Sequence, residues 1–293
     1  MIAVRAPATS ANLGSGFDVC GVALSHPADL VVVERAEETT IEVTGTGAQY
    51  IPEDPESNVV GAVAEALSAP AHIRIDKGVR PASGLGSSAA SAAGAALALD
   101  RLYDRGHSLE ELVPIAAKGE AVVSGTAHTD NVAPSLLGGF TVSSSDGIRS
   151  VDASIPLVAC LPDVAVSTRD ARRVVPETVD IESLVDTVGR ASTLTVGMCR
   201  SDPELVGEGM IDTVVTPARA ELITGYADVK DAALDAGATG VTVSGAGPAV
   251  LACCRESDRR PVAAAMVDAF VEAGVDARAY QTEIGPGATV LDR

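Results

Sequence analysis

The sequence predicts an α+β protein of two units, divided near residue 150. Three observations lead there. At the N-terminus, three strand patterns stand together before the first helical one. Near the C-terminus, "TGVTVSG" and "AVLACC" are joined by "SGAGP" and followed by helix then strand, the order of an α+β layer with antiparallel pairing. Between them, Asp146 to Ser154 is polar enough to mark a boundary, and 293 residues suffice for two domains of ordinary size.

Taken in order, "MIAVRAPATSANLGSG" reads as a short strand running into a Gly/Ser/Asn loop. "LVVVERA" and "TTIEVTG" are β-branched strands, and "YIPEDPESN" is a turn-rich connection. "NVVGAVAEAL" repeats apolar residues at helical spacing, with Asn58 placed to cap it. "AHIRID" alternates, with Ile73 and Ile75 on one face. "SSAASAAGAALALDRLYD" is a helix so rich in alanine that another element must approach its backbone closely. "SLEELVPIAAKGEAVVSG" is a second helix, capped by Ser108 with Glu110 and Glu111 at the positive end of its dipole. "GGFTVSSS" and "IPLVACLP" are strands. Helices are expected near Ile181 to Cys199, Pro203 to Thr213, Arg219 to Ala236 and Arg260 to Glu272, and "ARAYQTEIG" closes the series as a strand.

Forty Asp and Glu against 21 Lys and Arg give a formal charge of -19, which argues against nucleic acid and anionic membranes as partners. The acid is spread over the chain among apolar segments, as expected of a folded acidic surface kept soluble in a salt-rich cytoplasm. Five cysteines, Cys20, Cys160, Cys199, Cys253 and Cys254, lack metal-site spacing and read as small buried hydrophobes. "MIAVRAPATS" has no h-region and no run of about 18 apolar residues occurs, so a cytoplasmic location is expected.

The loop "PASGLGSSAAS", Pro81 to Ser91, has the ingredients for phosphate: glycines for close backbone approach, and free N–H groups at a helix start. It lacks the "GK[ST]" ending of a P-loop and the spacing of a dinucleotide fingerprint. Read alone, it is either an anion site or a tight strand-to-helix turn. Two further loops, "SANLGSGFD" and "SGAGPAVLAC", place amides, hydroxyls and a carboxylate between apolar strands; each alone is ordinary turn chemistry.

Together, "PATSANLGSGFD", "PASGLGSSAAS" and "SGAGPAV" resemble the three motifs of the small-molecule kinase superfamily that contains galactokinase, homoserine kinase, mevalonate kinase and phosphomevalonate kinase. "PATSANLGSGFDVCGVAL" and "GTAHTDNVAPSLLGGF" resemble the homoserine kinases, archaeal type, more than their siblings, and the likeness runs over nearly the whole chain. The resemblance implies a nucleotide-binding unit at 1–150, like domain 2 of ribosomal protein S5 with a left-handed βαβ unit, and a ferredoxin-like unit at 151–293. It implies that Pro81, Ala82, Ser83, Gly84, Leu85, Gly86, Ser87, Ser88, Ala89, Ala90 and Ser91 wrap the phosphates of ATP. Asn58 would lie near the adenine pocket, and "SGAGP" around Gly247 would buttress the phosphate loop.

An isolated helical glutamate is usually a solvated surface group; the resemblance instead makes Ser88 and Glu120 the ligands of Mg2+, hard oxygen donors suited to that ion. For an amino-acid acceptor, L-homoserine, it sets Asp18 against the ammonium group and Arg172 and Arg219 against the carboxylate, which a guanidinium fork fits. Asn12, His128, Asp130 and Asn131 complete the constellation. Asp130 stands where some relatives carry a base; Asn131 is weighted as the residue that positions the substrate hydroxyl. A homodimer is implied as well. The competing readings are an archaeal-type shikimate kinase or another sibling, and a non-catalytic binding protein on the same fold.

Overall fold

Residues 71–77 alternate between buried and more exposed positions, so Ala71, Ile73, Ile75 and Lys77 all face inward from one strand. That strand lies inside the larger of two sheets, with a partner strand on each side. The computed structural model describes residues 1–124 and 129–291. Its first part comprises β1 (Ile2–Ala11), β2 (Cys20–Arg35), β3 (Thr40–Gly45), α1 (Val59–Ala66), β4 (Ala71–Lys77), α2 (Ser87–Leu102), α3 (Leu109–Ser124), α4 (Val132–Leu137), β5 (Phe140–Ser144) and β6 (Gly147–Val151). There follow β7 (Pro156–Pro162), α5 (Thr168–Arg173), α6 (Ile181–Arg200), α7 (Pro203–Gly209), α8 (Val215–Ala220), α9 (Tyr226–Asp235), β8 (Ala238–Val243), β9 (Val250–Cys254), α10 (Arg259–Glu272), β10 (Ala277–Glu283) and β11 (Thr289–Val290).

The first sheet runs β11-β1-β2-β4-β3, with β5 on the other end of β2 and β6 on β5. Only β3 and β4 are parallel among its pairs, joined through α1 as a βαβ unit. The second sheet, β10-β7-β9-β8, is antiparallel throughout.

Side-chain alternation turns these sheets into layers. In β7, Leu157, Ala159 and Leu161 join a core shared with Val22 and Leu24 of the first sheet, while Val158 and Cys160 face α9 and α10. Each fully buried Leu or Val contributes about 1.5–3 kcal/mol. On the far face of the first sheet lies α2, whose Ala89, Ala92, Ala93, Ala95 and Ala96 are all fully buried. The sheet comes so near that a Cβ on Gly94 would stand 2.7 Å from Val31 Cγ2 and 3.2 Å from Ala6 Cβ. This is the close approach that the alanine content predicts.

Several local readings are corrected. The polar stretch 146–154 holds β6, hydrogen-bonded to β5 as an edge strand whose side chains are largely solvated, so it shows no apolar period. The segment before "LVVVERA" is strand too; its Pro27 fits where the β1–β2 register shifts between Pro7 and Thr9. The expected helix 219–236 is two helices, interrupted at Gly225 with φ of 81°. Cys199 is exposed, and the other four cysteines are buried.

Gly94→Leu is expected to destabilise the protein by about 2 kcal/mol, the cost of overpacking a filled interface. Urea unfolding should show a lower midpoint with an unchanged slope.

Candidate active site

The loop between β4 and α2 has room for little more than backbone. Ala82, Gly84 and Gly86 have φ of 53°, 80° and 63°, in the left-handed region. A Cβ on Gly84 would lie 2.5 Å from the Ser244 carbonyl oxygen; one on Gly86 would lie 1.9 Å from Thr9 Oγ1 and 2.9 Å from Asn131 Oδ1. Hydrogen bonds hold the squeeze. Ser244 Oγ donates to the Gly84 carbonyl at 2.7 Å, the Ala249 N–H to that of Ser83 at 3.0 Å, and the Thr9 N–H to that of Leu85 at 3.0 Å. The "SGAGP" hairpin therefore does buttress the loop.

Gly86 starts α2 without a side-chain cap, so the first N–H groups of that helix remain for an anion at the positive end of its dipole. Ser87 Oγ is committed to the Val79 carbonyl at 2.8 Å, whereas Ser88 Oγ donates to Glu120 Oε2 at 3.0 Å. Ala89 and Ala90 are fully buried, and Ser91 Oγ donates to Asp29 Oδ2 at 2.8 Å. Pro81 is half-buried and Ala82 exposed.

Beneath the loop, Lys77 and Asp29 form an ion pair closed to solvent. Lys77 Nζ also donates to the Ser87 carbonyl and to Ser91 Oγ, both at 2.8 Å, and Asp29 Oδ1 accepts from the N–H groups of Gly78 and Val79 at 3.1 and 3.0 Å. Burial pushes the Lys77 ammonium pKa down and the Asp29 carboxylate opposes it. Glu120 is half-buried with Oε1 closed to solvent. Burial pushes its carboxyl up to about 7; Asp130 adds to this, while Ser88 and Lys77 oppose it.

Facing the loop is the turn 12–18, wound tightly by positive φ at Asn12, Leu13 and Asp18. Asn12 Oδ1 accepts from the Asp18 N–H at 3.0 Å, and Asn12 Nδ2 donates to the Gly245 carbonyl at 3.0 Å. That carbonyl also accepts from Arg219 Nη1 at 2.7 Å, and Arg219 Nε donates to the Ala171 carbonyl at 3.3 Å. Arg172 Nη1 donates to Asp18 Oδ2 at 2.5 Å. Both guanidinium groups lie over the Phe17 ring, at 5.3 Å for Arg172 and 5.0 Å for Arg219. Burial lowers the Arg219 pKa, Arg172 adds to the effect, and Asp18, Asp130 and Asp212 oppose it.

Asn131 joins the two halves of the site. Its Oδ1 accepts from Thr9 Oγ1 at 2.8 Å and sits against Gly86 of the loop. Asp130 is buried beside it. His128 lies outside the described residues. Asn58 is buried, and its amide caps α1 by accepting from the Val60 N–H at 3.1 Å and donates to the Pro52 carbonyl at 2.6 Å.

The chain matches the family model for the GHMP kinases N terminal domain over residues 57–139 and that for GHMP kinases C terminal over residues 194–272. A homoserine kinase from Halorubrum lacusprofundi is 76% identical over 292 residues, which is 100% of each chain. This chain belongs to the homoserine kinases. Within that family, the protein from Methanocella arvoryzae is 47% identical over 100% of this chain and 98% of its own. The crystal structure of homoserine kinase from Cytophaga hutchinsonii superposes with a TM-score of 0.89 at 35% identity, over 99% of this chain and 97% of that one. Mevalonate kinase from L. major, at a TM-score of 0.76 and 15% identity over 96% and 95% of the two chains, shares the fold. The α+β fold of an S5 domain 2-like unit and a ferredoxin-like unit, expected for homoserine kinases, is the one observed.

Lys77, Asp29, Thr9 and Phe17 are site residues that the sequence reading missed. For Lys77 a signal existed: it continues the inward face of Ile73 and Ile75 at spacing two, so the alternation itself buries it. Asp29 is tied to it only by the β2–β4 pairing, 48 residues away in sequence.

Because the Glu120 carboxyl is raised from 4.5 to about 7, the folded state holds a proton that the unfolded chain gives up. Its contribution is fully present below 4.5 and is lost as pH rises through about 7. Glu120→Gln should therefore stabilise the ligand-free protein at pH 8 and change little near pH 4.5, as read by urea unfolding at both values.

Proposed function

We propose that this chain transfers the γ-phosphoryl group of ATP to the side-chain hydroxyl of L-homoserine, giving O-phospho-L-homoserine and ADP on the route to threonine. The observation that carries this reading is the Gly245 carbonyl. It receives Asn12 and Arg219 from the acceptor side, while a Cβ on Gly245 would stand 3.1 Å from the Gly84 carbonyl oxygen of the phosphate loop. An amino-acid site and a phosphate site thus share one wall.

The residues present fit a magnesium nucleotide. Two glycines thin the loop, α2 offers uncapped N–H groups, and Ser88 with Glu120 supplies a hydroxyl and a carboxylate 3.0 Å apart. Among the described residues no group of three or more His, Cys, Asp or Glu could hold a metal by itself. Two protein oxygens are enough for magnesium, which keeps water and phosphate oxygens as its other ligands. When bound, the ion neutralises charge on the transferring group.

Asp18 would meet the substrate ammonium group, and Arg172 and Arg219 its carboxylate. Their present arrangement suits that role, because Asp18 and Arg172 pair with each other until a zwitterion offers each an opposite charge. Asn12 holds the turn that presents Asp18. Asn131, fixed by Thr9, would position the hydroxyl, with His128 from the same segment; Asp130 is the candidate base. Asn58 would lie behind the adenine. In this reading residues 1–150 bind nucleotide and residues 151–293 bring the arginines and the buttressing hairpin.

Family likeness extends the reading to a cytoplasmic homodimer, and the exposed Ile181, Val185 and Val188 on α6 supply uncharged surface for a second copy. No helix among the described residues is long and apolar enough to cross a membrane.

A coupled ADP-release assay at high salt tests the reaction. Homoserine should have the highest kcat/KM among homoserine, its amide, 4-hydroxybutyrate, shikimate and mevalonate. Glu120→Ala should lose roughly 10²-fold in kcat, the scale of one transition-state electrostatic contact. Better use of shikimate or mevalonate by the wild type would overturn the substrate.

A further inference from the structure

The chain has three phenylalanines. Phe140 and Phe270 are fully buried in the cores, whereas Phe17 is partly exposed and stands on the turn between β1 and β2. That turn is rigid. A Cβ on Gly16 would lie 2.5 Å from Cys20 Cβ, the N–H groups of Val19 and Cys20 bond back to the Gly16 carbonyl at 3.0 and 2.8 Å, and the Asp18 N–H bonds to Asn12. A ring on such a turn is an expensive way to fill space at the surface.

What it touches explains it. Arg172 comes from α5 and Arg219 from α8, both in the second half of the chain, and their guanidinium carbons both come within about 5 Å of this one ring centroid. Two like charges brought this close repel, and Arg172 does depress the pKa of Arg219. Asp18 offsets the repulsion now. Once Asp18 turns to a substrate ammonium group, Arg172 loses that partner and the aromatic face stays. A π-face attracts a guanidinium plane without using its N–H edges, so the N–H groups that Arg219 does not give to the Gly245 and Ala171 carbonyls stay available for a carboxylate.

We propose that Phe17 is a positioning residue for the acceptor carboxylate, the common seat that fixes the spacing and direction of Arg172 and Arg219. The proposal rests on the reading that these arginines bind the carboxylate. It goes beyond it by placing the control of acceptor affinity on an uncharged side chain of the other unit, one that makes no hydrogen bond to the substrate. Phe17 thus acts on KM through both arginines together and leaves the phosphate loop alone.

Steady-state kinetics on the full chain separate the possibilities, with homoserine and homoserine amide as acceptors and Phe17→Leu, Phe17→Tyr and Arg219→Leu as variants. Phe17→Leu should raise KM for homoserine by roughly 10-fold, with kcat and the KM for magnesium-ATP near wild type, and should shrink the preference for homoserine over its amide. Phe17→Tyr, which keeps the aromatic face, should restore both KM and preference. If Phe17→Leu keeps the wild-type KM and preference while Arg219→Leu loses them, the carboxylate reading stands and the role of Phe17 is wrong. An equal loss on acid and amide would show ordinary packing and overturn it as well. If Arg219→Leu itself keeps the wild-type preference, the carboxylate reading fails and takes the proposal with it.

Discussion

The crowding of backbone at Gly84 and Gly86 is the constraint on which the rest of the site depends. The second unit reaches the loop through the Ser244 carbonyl and hydroxyl, and β1 reaches it through Thr9, so the loop is fixed from both sides. Any side chain at either glycine would push these apart. With the loop fixed, the N-terminus of α2 is aimed, Ser88 meets Glu120, and Asn131 is held against Gly86 through Thr9. The buried Lys77–Asp29 pair carries the same logic one layer down, with Lys77 tying the Ser87 carbonyl and Ser91 to the end of β4. A pair so enclosed stabilises only because its remaining donors and acceptors are also satisfied, and removing either partner would cost about 3–5 kcal/mol.

Charge is divided between surface and site. A chain of net charge -19 repels anions at long range, yet it concentrates Lys77, Arg172 and Arg219 around the loop and the acceptor turn. The two requirements are compatible in concentrated salt, where the long-range repulsion is screened within a few ångströms and buried contacts are screened far less.

Legibility in the sequence followed the range of the interactions. Caps are local: Asn58 accepts from the Val60 N–H and Ser108 Oγ accepts from the Glu111 N–H, each within three residues, and both were readable. The alanine run announced close packing because small residues have few other uses in a helix. The pairing of Lys77 with Asp29 and the meeting of Arg172 with Arg219 over Phe17 depend on strand register and on the joining of two units, which no short window contains. β6 was unreadable for a different reason, since a solvated edge strand needs backbone partners more than an apolar period. The roles of Ser88, Glu120, Asp18 and the two arginines came from family resemblance; geometry then placed Ser88 beside Glu120 and Asp18 beside Arg172.

The claim that a thin, clamped loop makes the nucleotide site is tested most directly at Gly84. Calorimetric titration with a magnesium-bound, non-hydrolysable ATP analogue would compare wild type and Gly84→Ala under one salt condition, with urea unfolding run beside it to establish that the variant is folded. A folded variant should bind at least about 10-fold more weakly, because a Cβ at a φ of 80° and 2.5 Å from the Ser244 carbonyl oxygen must displace the loop. Wild-type affinity in a folded Gly84→Ala protein would contradict the account.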